Sequence, residues 1–414
     1  MRVRPPAPPL RLVPFPFRAM VSICSDLDET PDRSLYWETA RFLNTFEETS
    51  IGPGVGLEVA NSIYFDALPG EFSYWNTDDR GRAMVRTLIR SGHVDCLHSF
   101  GDRVTSRADC ARAIEELDRH GCRIEVWVDH RTAPSNLGYD IMQGRGDAAG
   151  SPVFHADLSV AAGLTYAWRG RVTSVFGQNV RPRFRATAPS GRSARRAVAV
   201  AKEVVKRLAA RLGSAKYAMH GANQVLRPIR LRSGQAVYEF MRSDPSPRGI
   251  GVSDGLAGLA ERLAPAALRA LAESGGVSLV YTHLGKLPPG VRRCPGGTLD
   301  GLRRLADEQR AGRILVAATR RVLGYCRALS EVQVEIEEAS GRQEVLRVTR
   351  RTTPVARRLE RADLDGLTLY VRDPARCSVL VDGVEEPGVI RNPPDETGRA
   401  SVMLPWRRLT FPNQ

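Results

Sequence analysis

The 414-residue chain carries 42% hydrophobic and 26% charged residues, the balance of an ordinary globular protein long enough for one large domain plus a smaller one. Its net charge of +14 raises nucleic acid or an anionic surface as partner, yet of the 60 cationic residues only Lys202, Lys206, Lys216 and Lys286 are lysines, and no helix-turn-helix, zinc-finger or RNA-binding signature accompanies the charge. Nucleic-acid binding is therefore not expected, the basic stretch Arg181 to Arg211 reads as a solvated helix face, and no apolar run approaches the roughly 18 residues that span a bilayer.

The opening MRVRPPAPPLRLVPFPFR is basic and proline-rich, and its prolines interrupt any apolar core of signal-peptide length. Residues 1–19 are expected to be a disordered leader, with Met20 as an alternative start. The seven cysteines (Cys24, Cys96, Cys110, Cys122, Cys294, Cys326 and Cys377) are odd in number and lack CxxC spacing. That argues for reduced thiols in a cytoplasmic protein over a disulfide framework or a structural zinc site.

From about residue 21 to 330, apolar runs of strand length alternate with helix-period segments, as in repeated βα units around a parallel sheet. The predicted elements begin with strand Val21–Cys24, helix Ser34–Phe46, strand Gly56–Phe65 and helix Asp79–Ser91. Next come strand Val94–Leu97, helix Arg107–His120 with Gly121 as its stop, and strand Ile124–Val128. Asp157–Trp168 reads as helix, Val172–Phe176 as strand and Ser193–Leu212 as a long amphipathic helix. Strands Val225–Arg232 and Ala236–Met241, helix Ser253–Ser274, strand Val277–Thr282 and helices Leu302–Arg310 and Ala317–Leu329 complete the region. Beyond Ser330, short alternating segments such as EVQVEIEE and EVLRVTRR predict a small antiparallel β-sandwich over 331–414. The expected fold class is α/β, with a barrel over 20–330.

In barrels of parallel strands the active site lies at the carboxyl ends of the strands. Four such ends carry polar residues: Ser25-Asp26-Leu27-Asp28-Glu29-Thr30, His98-Ser99-Phe100-Gly101-Asp102, Asp129-His130-Arg131, and Thr282-His283-Leu284-Gly285-Lys286. Any one Asp or His there is more often a cap or turn former than a ligand. Four successive strand ends that all return metal-competent residues shift the balance toward a divalent metal, since carboxylate oxygen and neutral imidazole suit zinc and a richer oxygen set suits manganese. The aromatics Tyr64, Phe65, Phe72, Tyr74 and Trp75 suit stacking on sugar rings and core packing equally well.

These motifs resemble the polysaccharide deacetylase family of carbohydrate esterases, whose fold is a distorted (β/α)7 barrel that binds a divalent metal. SDLDET is similar to that family's first motif, HSFGD lies where its HSxxH motif falls, DHRTAP resembles its third motif and YTHLG its last. Leu27 separates two aspartates that are adjacent in the family, Asp102 stands where its second metal histidine is expected, and its acidic pair before Trp has no counterpart. The resemblance implies Asp26 as catalytic base, Arg131 as the group that orients it and His283 as acid. It implies Asp28 and His98 as metal ligands, with Asp102 or His130 as the third, and zinc as the metal ahead of manganese, cobalt or nickel. The implied reaction is hydrolysis of a carbon-nitrogen amide bond, the N- or O-deacetylation of an amino sugar or glycan precursor. A glycoside hydrolase on the same barrel, or a non-catalytic glycan-binding relative, are the alternatives. A carbohydrate is the expected partner, and the oligomeric state is left open.

Overall fold

The computed structural model describes residues 9–26, 30–182, 193–244, 256–284, 294, 296–339, 343–355 and 357–413. In chain order they form β1 (Ala19–Ser25), α1 (Arg33–Asn44), a hairpin of β2 (Glu48–Thr49) and β3 (Gly52–Pro53), β4 (Asn61–Ile63), α2 (Asp79–Arg90), β5 (Val94–His98), α3 (Arg107–Arg119) and β6 (Val126–Val128). There follow α4 (Ala156–Ala161), β7 (Tyr166–Trp168), β8 (Val172–Thr173), α5 (Ser193–Arg211), α6 (Ala218–Ala222), β9 (Leu226–Arg230), β10 (Ala236–Phe240) and β11 (Arg242–Ser243). α7 (Leu256–Arg262), α8 (Pro265–Ser274), β12 (Gly276–Thr282), α9 (Gly296–Arg310), β13 (Ile314–Val316) and α10 (Thr319–Glu331) close this part.

The strands build one large, curled sheet in which parallel pairing dominates. β1 pairs with β12 along its whole length, Ala19 opposite Gly276 through Ser25 opposite Thr282, and β4, β5, β6 and β7 follow on its other side, each parallel to the last. β7 continues into β8 after only Arg169, Gly170 and Arg171, and β10 into β11 after only Met241. The upstream halves pair with each other (Tyr238 opposite Tyr166), and so do the downstream halves (Arg242 opposite Val172), while β11 also pairs with β12. β13 adds to the lower end of β1, at Ala19–Val21.

Both faces of these strands are buried, which is why they read as continuous apolar runs and not as alternating ones. Along β1, Ala19, Val21 and Ile23 join the core shared with the helices, whereas Met20 and Cys24 join Cys96, Val126, Val128, Trp168, Phe240 and Leu279 inside the curl.

Several boundaries differ from expectation. The segment expected to be helical to Trp168 stops at Ala161, because Gly163 takes φ 110° and lets the chain turn back into β7. The helix expected over 253–274 is broken ahead of Pro265, which opens α8. The presumed disordered leader is ordered from residue 9. Arg11, 4% exposed, donates to Asp395 (3.0 Å), Glu396 (3.2 Å) and the carbonyl oxygens of Val13, Pro14 and Phe17. The Pro9 carbonyl accepts from the Tyr370 amide. Residues 1–8 lie outside the described residues.

After α10 come β14 (Val332–Ala339), β15 (Gln343–Arg350), β16 (Thr368–Tyr370), β17 (Cys377–Val381), β18 (Val384–Glu385), β19 (Ile390–Asn392) and β20 (Ser401–Met403). They form a four-stranded and a three-stranded sheet, and β15 pairs with β17 in parallel, a departure from the antiparallel pattern expected. Arg320 to Asp363 and Arg357 to Glu125 tie this region to the part that carries the large curled sheet.

Candidate functional site

The strand-end residues do meet. Asp26 follows β1 directly, is fully buried, and receives two hydrogen bonds from Arg242 at the start of β11: Nη1 to Oδ2 at 2.9 Å and Nη2 to Oδ1 at 3.2 Å. The Arg242 guanidinium also donates to Cys24 Sγ and lies beside the stacked rings of Trp168 and Tyr281, 4.4 and 4.7 Å from their centroids. Burial by itself pushes the Asp26 carboxyl up. The Arg242 charge, helped by His98 and His283, overrides that and holds it below the usual carboxylate range.

His98 ends β5. Its Nδ1 lies 3.2 Å from the Val128 carbonyl oxygen and its Nε2 3.4 Å from Asp26 Oδ2. Tyr64, just past β4, stacks on the His98 ring at 4.6 Å and meets His130 edge-on at 5.1 Å. The two imidazoles are 4.8 Å apart. His130 Nδ1 lies 3.0 Å from Asp102 Oδ1, and the imidazole is the main cause of an Asp102 carboxyl lowered from its usual range. His283 follows β12, with Nε2 3.3 Å from the Tyr281 hydroxyl. Arg131 is exposed at φ 41°, and its charge adds to those that lower Asp102. Asp28 lies outside the described residues.

Two glycines fix the loops that carry these groups. Gly101 (φ 121°) sits in a parallel bridge with Asp66, where a Cβ would come within 1.7 Å of the Asp66 carbonyl oxygen, so Asp102 is held from the β4 side. A Cβ on Gly138 would fall 2.5 Å from Asp129 Oδ2. Asp129 is the buried hub of the loop after β6. It accepts from Trp127 Nε1 and the amides of Leu137 and Gly138, and burial still raises its carboxyl to about 6. Asn136 clasps His130 through both its amide and its carbonyl.

Metal fit can be judged from the donors. His98 Nδ1 lies against the Val128 carbonyl oxygen, a backbone anchor of the kind that orients ligating histidines, while its Nε2 faces Asp26 Oδ2; His130 Nδ1 lies 3.0 Å from Asp102 Oδ1. Among the described residues no group of three or more His, Cys, Asp or Glu converges as a ready metal site.

The group that sequence reasoning missed is Arg242. The guanidinium against Asp26 is its own, supplied from β11 with only β12 between it and β1, whereas Arg131 is the residue the resemblance implies in that role. Its signal was present: Met241-Arg242-Ser243-Asp244 directly follows an apolar strand, the rule that found the other four positions. Tyr64 stands at the site, but Phe65, Phe72 and Tyr74 are core residues. Compared with protein families, with curated proteins and with solved structures, the chain matches none.

Proposed function

We propose that the chain is a metal-dependent hydrolase that removes an acyl group from an amino sugar or glycan precursor, on a distorted (β/α)7 barrel like that of the polysaccharide deacetylases. Taking β7 with β8, and β10 with β11, as one interrupted strand each supports the barrel, because the parallel pairings then run from β1 through β4, β5, β6, β7/β8, β10/β11 and β12 back to β1.

The observation that carries the functional reading is the buried Asp26–Arg242 pair beside His98 at the strand ends. A carboxylate kept ionised inside a low-dielectric mouth, with imidazoles on the facing walls, is the equipment of general acid–base chemistry. Asp28, His98 and His130 would hold the ion, and Asp102 would orient His130, so Asp102 and His130 need not compete for one position. A bound ion would supply Lewis-acid polarisation of the scissile carbonyl and the attacking water. Asp26 takes the water's proton on its carboxylate, Arg242 keeps that carboxylate charged and aimed, and His283 delivers a proton to the leaving nitrogen.

The full chain, with and without added zinc, should release acetate from N-acetylated amino sugars only with metal. Asp26→Asn should lower kcat by about 10²–10⁴-fold while metal content stays unchanged. Absence of metal-dependent release across a panel of acylated sugars would refute this function.

A further inference from the structure

Helix α5 has its polarity reversed. An amphipathic surface helix turns its apolar stripe to the core and its charges to water. In α5 the buried face carries Ala199 and the charged Glu203, which is 1% exposed and accepts from the Ser174 amide (3.0 Å), Lys206 Nζ (2.9 Å) and lies 3.0 Å from His220 Nδ1. Val198, Ala201, Val205, Leu208 and, one residue past the helix, Leu212 face outward, with Val205 63%, Leu208 51% and Leu212 88% exposed. Their spacing of three, four, three and four residues lays them in one row about 21 Å long. Single exposed apolar residues are ordinary, but a contiguous row of them marks a surface that something covers.

Charge identifies the occupant. Glu203 is the sole acidic residue in α5, and it is buried and already neutralised, so every exposed charge along the row is positive, from Lys202 to Arg211, with Lys216 just beyond. A second copy docked row to row would bring only further positive charge, Arg211 and Lys216 included. A plane of acyl chains under anionic headgroups answers both halves of the pattern, and the chain's charge of +14 draws it to such a surface. We propose that α5 is a membrane-surface anchor that lies in the headgroup layer of an anionic lipid bilayer, its row from Val198 to Leu212 inserted and Arg211 and Lys216 at the phosphates.

Vesicle flotation of the full chain tests this, with phosphatidylcholine alone compared with phosphatidylcholine plus phosphatidylglycerol. The chain should float only with the anionic vesicles, and less as salt rises. Leu208→Glu/Leu212→Glu should weaken flotation about tenfold or more, since it removes inserted hydrocarbon without disturbing a buried contact. Arg211→Glu/Lys216→Glu should abolish the preference for anionic lipid, while Val384→Glu, an exposed valine elsewhere, should leave flotation unchanged and controls for general surface effects. The anchor is overturned if flotation is equal on neutral vesicles or unaffected by Leu208→Glu/Leu212→Glu. Capture by an acidic polypeptide without flotation, or a lipid-free dimer in light scattering that this double substitution disperses, would also overturn it.

Discussion

Arg242→Met is the most informative single change in this molecule. It keeps the stem and removes the charge that faces Asp26 where both side chains are fully buried. Removal of one partner from a buried ion pair strands the other, at a cost of about 3–5 kcal/mol. Loss of the guanidinium beside Trp168 and Tyr281 adds about 0.5–2 kcal/mol. A second substitution, Asp26→Asn, then removes the stranded charge and should return roughly 2–3 kcal/mol of that loss. Urea unfolding of the four proteins in this cycle measures the coupling. The sign with pH is also fixed. In the native chain the Asp26 pKa lies below its unfolded value, so the pair's contribution is present above the unfolded pKa and is lost as pH falls through the folded one. Without Arg242, burial alone acts and moves the carboxyl up. The penalty should be greatest near neutrality and shrink as acid protonates Asp26, so the gap to wild type narrows with falling pH. An Arg242→Met cost under about 1 kcal/mol, typical of an exposed pair, or strictly additive losses in the double variant, would refute the reasoning.

Asp102→Asn should leave the fold intact and weaken metal retention by about 10–100-fold through His130, read as metal content after dialysis against a weak chelator; His130→Ala should lose more. Arg11→Met should cost about 1–3 kcal/mol in urea unfolding, because Asp395, 1% exposed and held well below the usual carboxylate range, keeps Thr397 and Tyr370 as partners. That contribution should be present above the unfolded carboxylate pKa and vanish as pH falls through the lowered one. A chain begun at Met20 should be at least as destabilised as Arg11→Met.

The sheet was legible wherever both faces of a strand are buried, as in Val94–His98 and Gly276–Thr282, because a continuous apolar run bounded by polar residues has few other homes. It was illegible where strands are short: Ile314–Val316 gives three residues of signal, and Tyr166–Trp168 merges with the apolar residues of the helix before it until Gly163 is weighed as a stop. Asp26, His98, His130 and His283 were found because strand ends aim side chains at one place. Arg242 lay within the same rule, directly after the expected strand Ala236–Met241, but a guanidinium is not a metal donor and a search for metal-competent strand ends passes over it. The leader misled for a different reason. Proline-rich composition disfavours helix and long ladders, yet it says nothing about docking, and Arg11 finds its carboxylate partners in Asp395 and Glu396, at the other end of the chain.

The Asp26–Arg242 contact also joins two events that are usually separate. Arg242 reaches the carboxylate only when β11 is seated between β8 and β12. Until then Asp26 lacks its largest counter-charge, and burial favours its protonated form. Seating of β11 and ionisation of Asp26 are therefore one step.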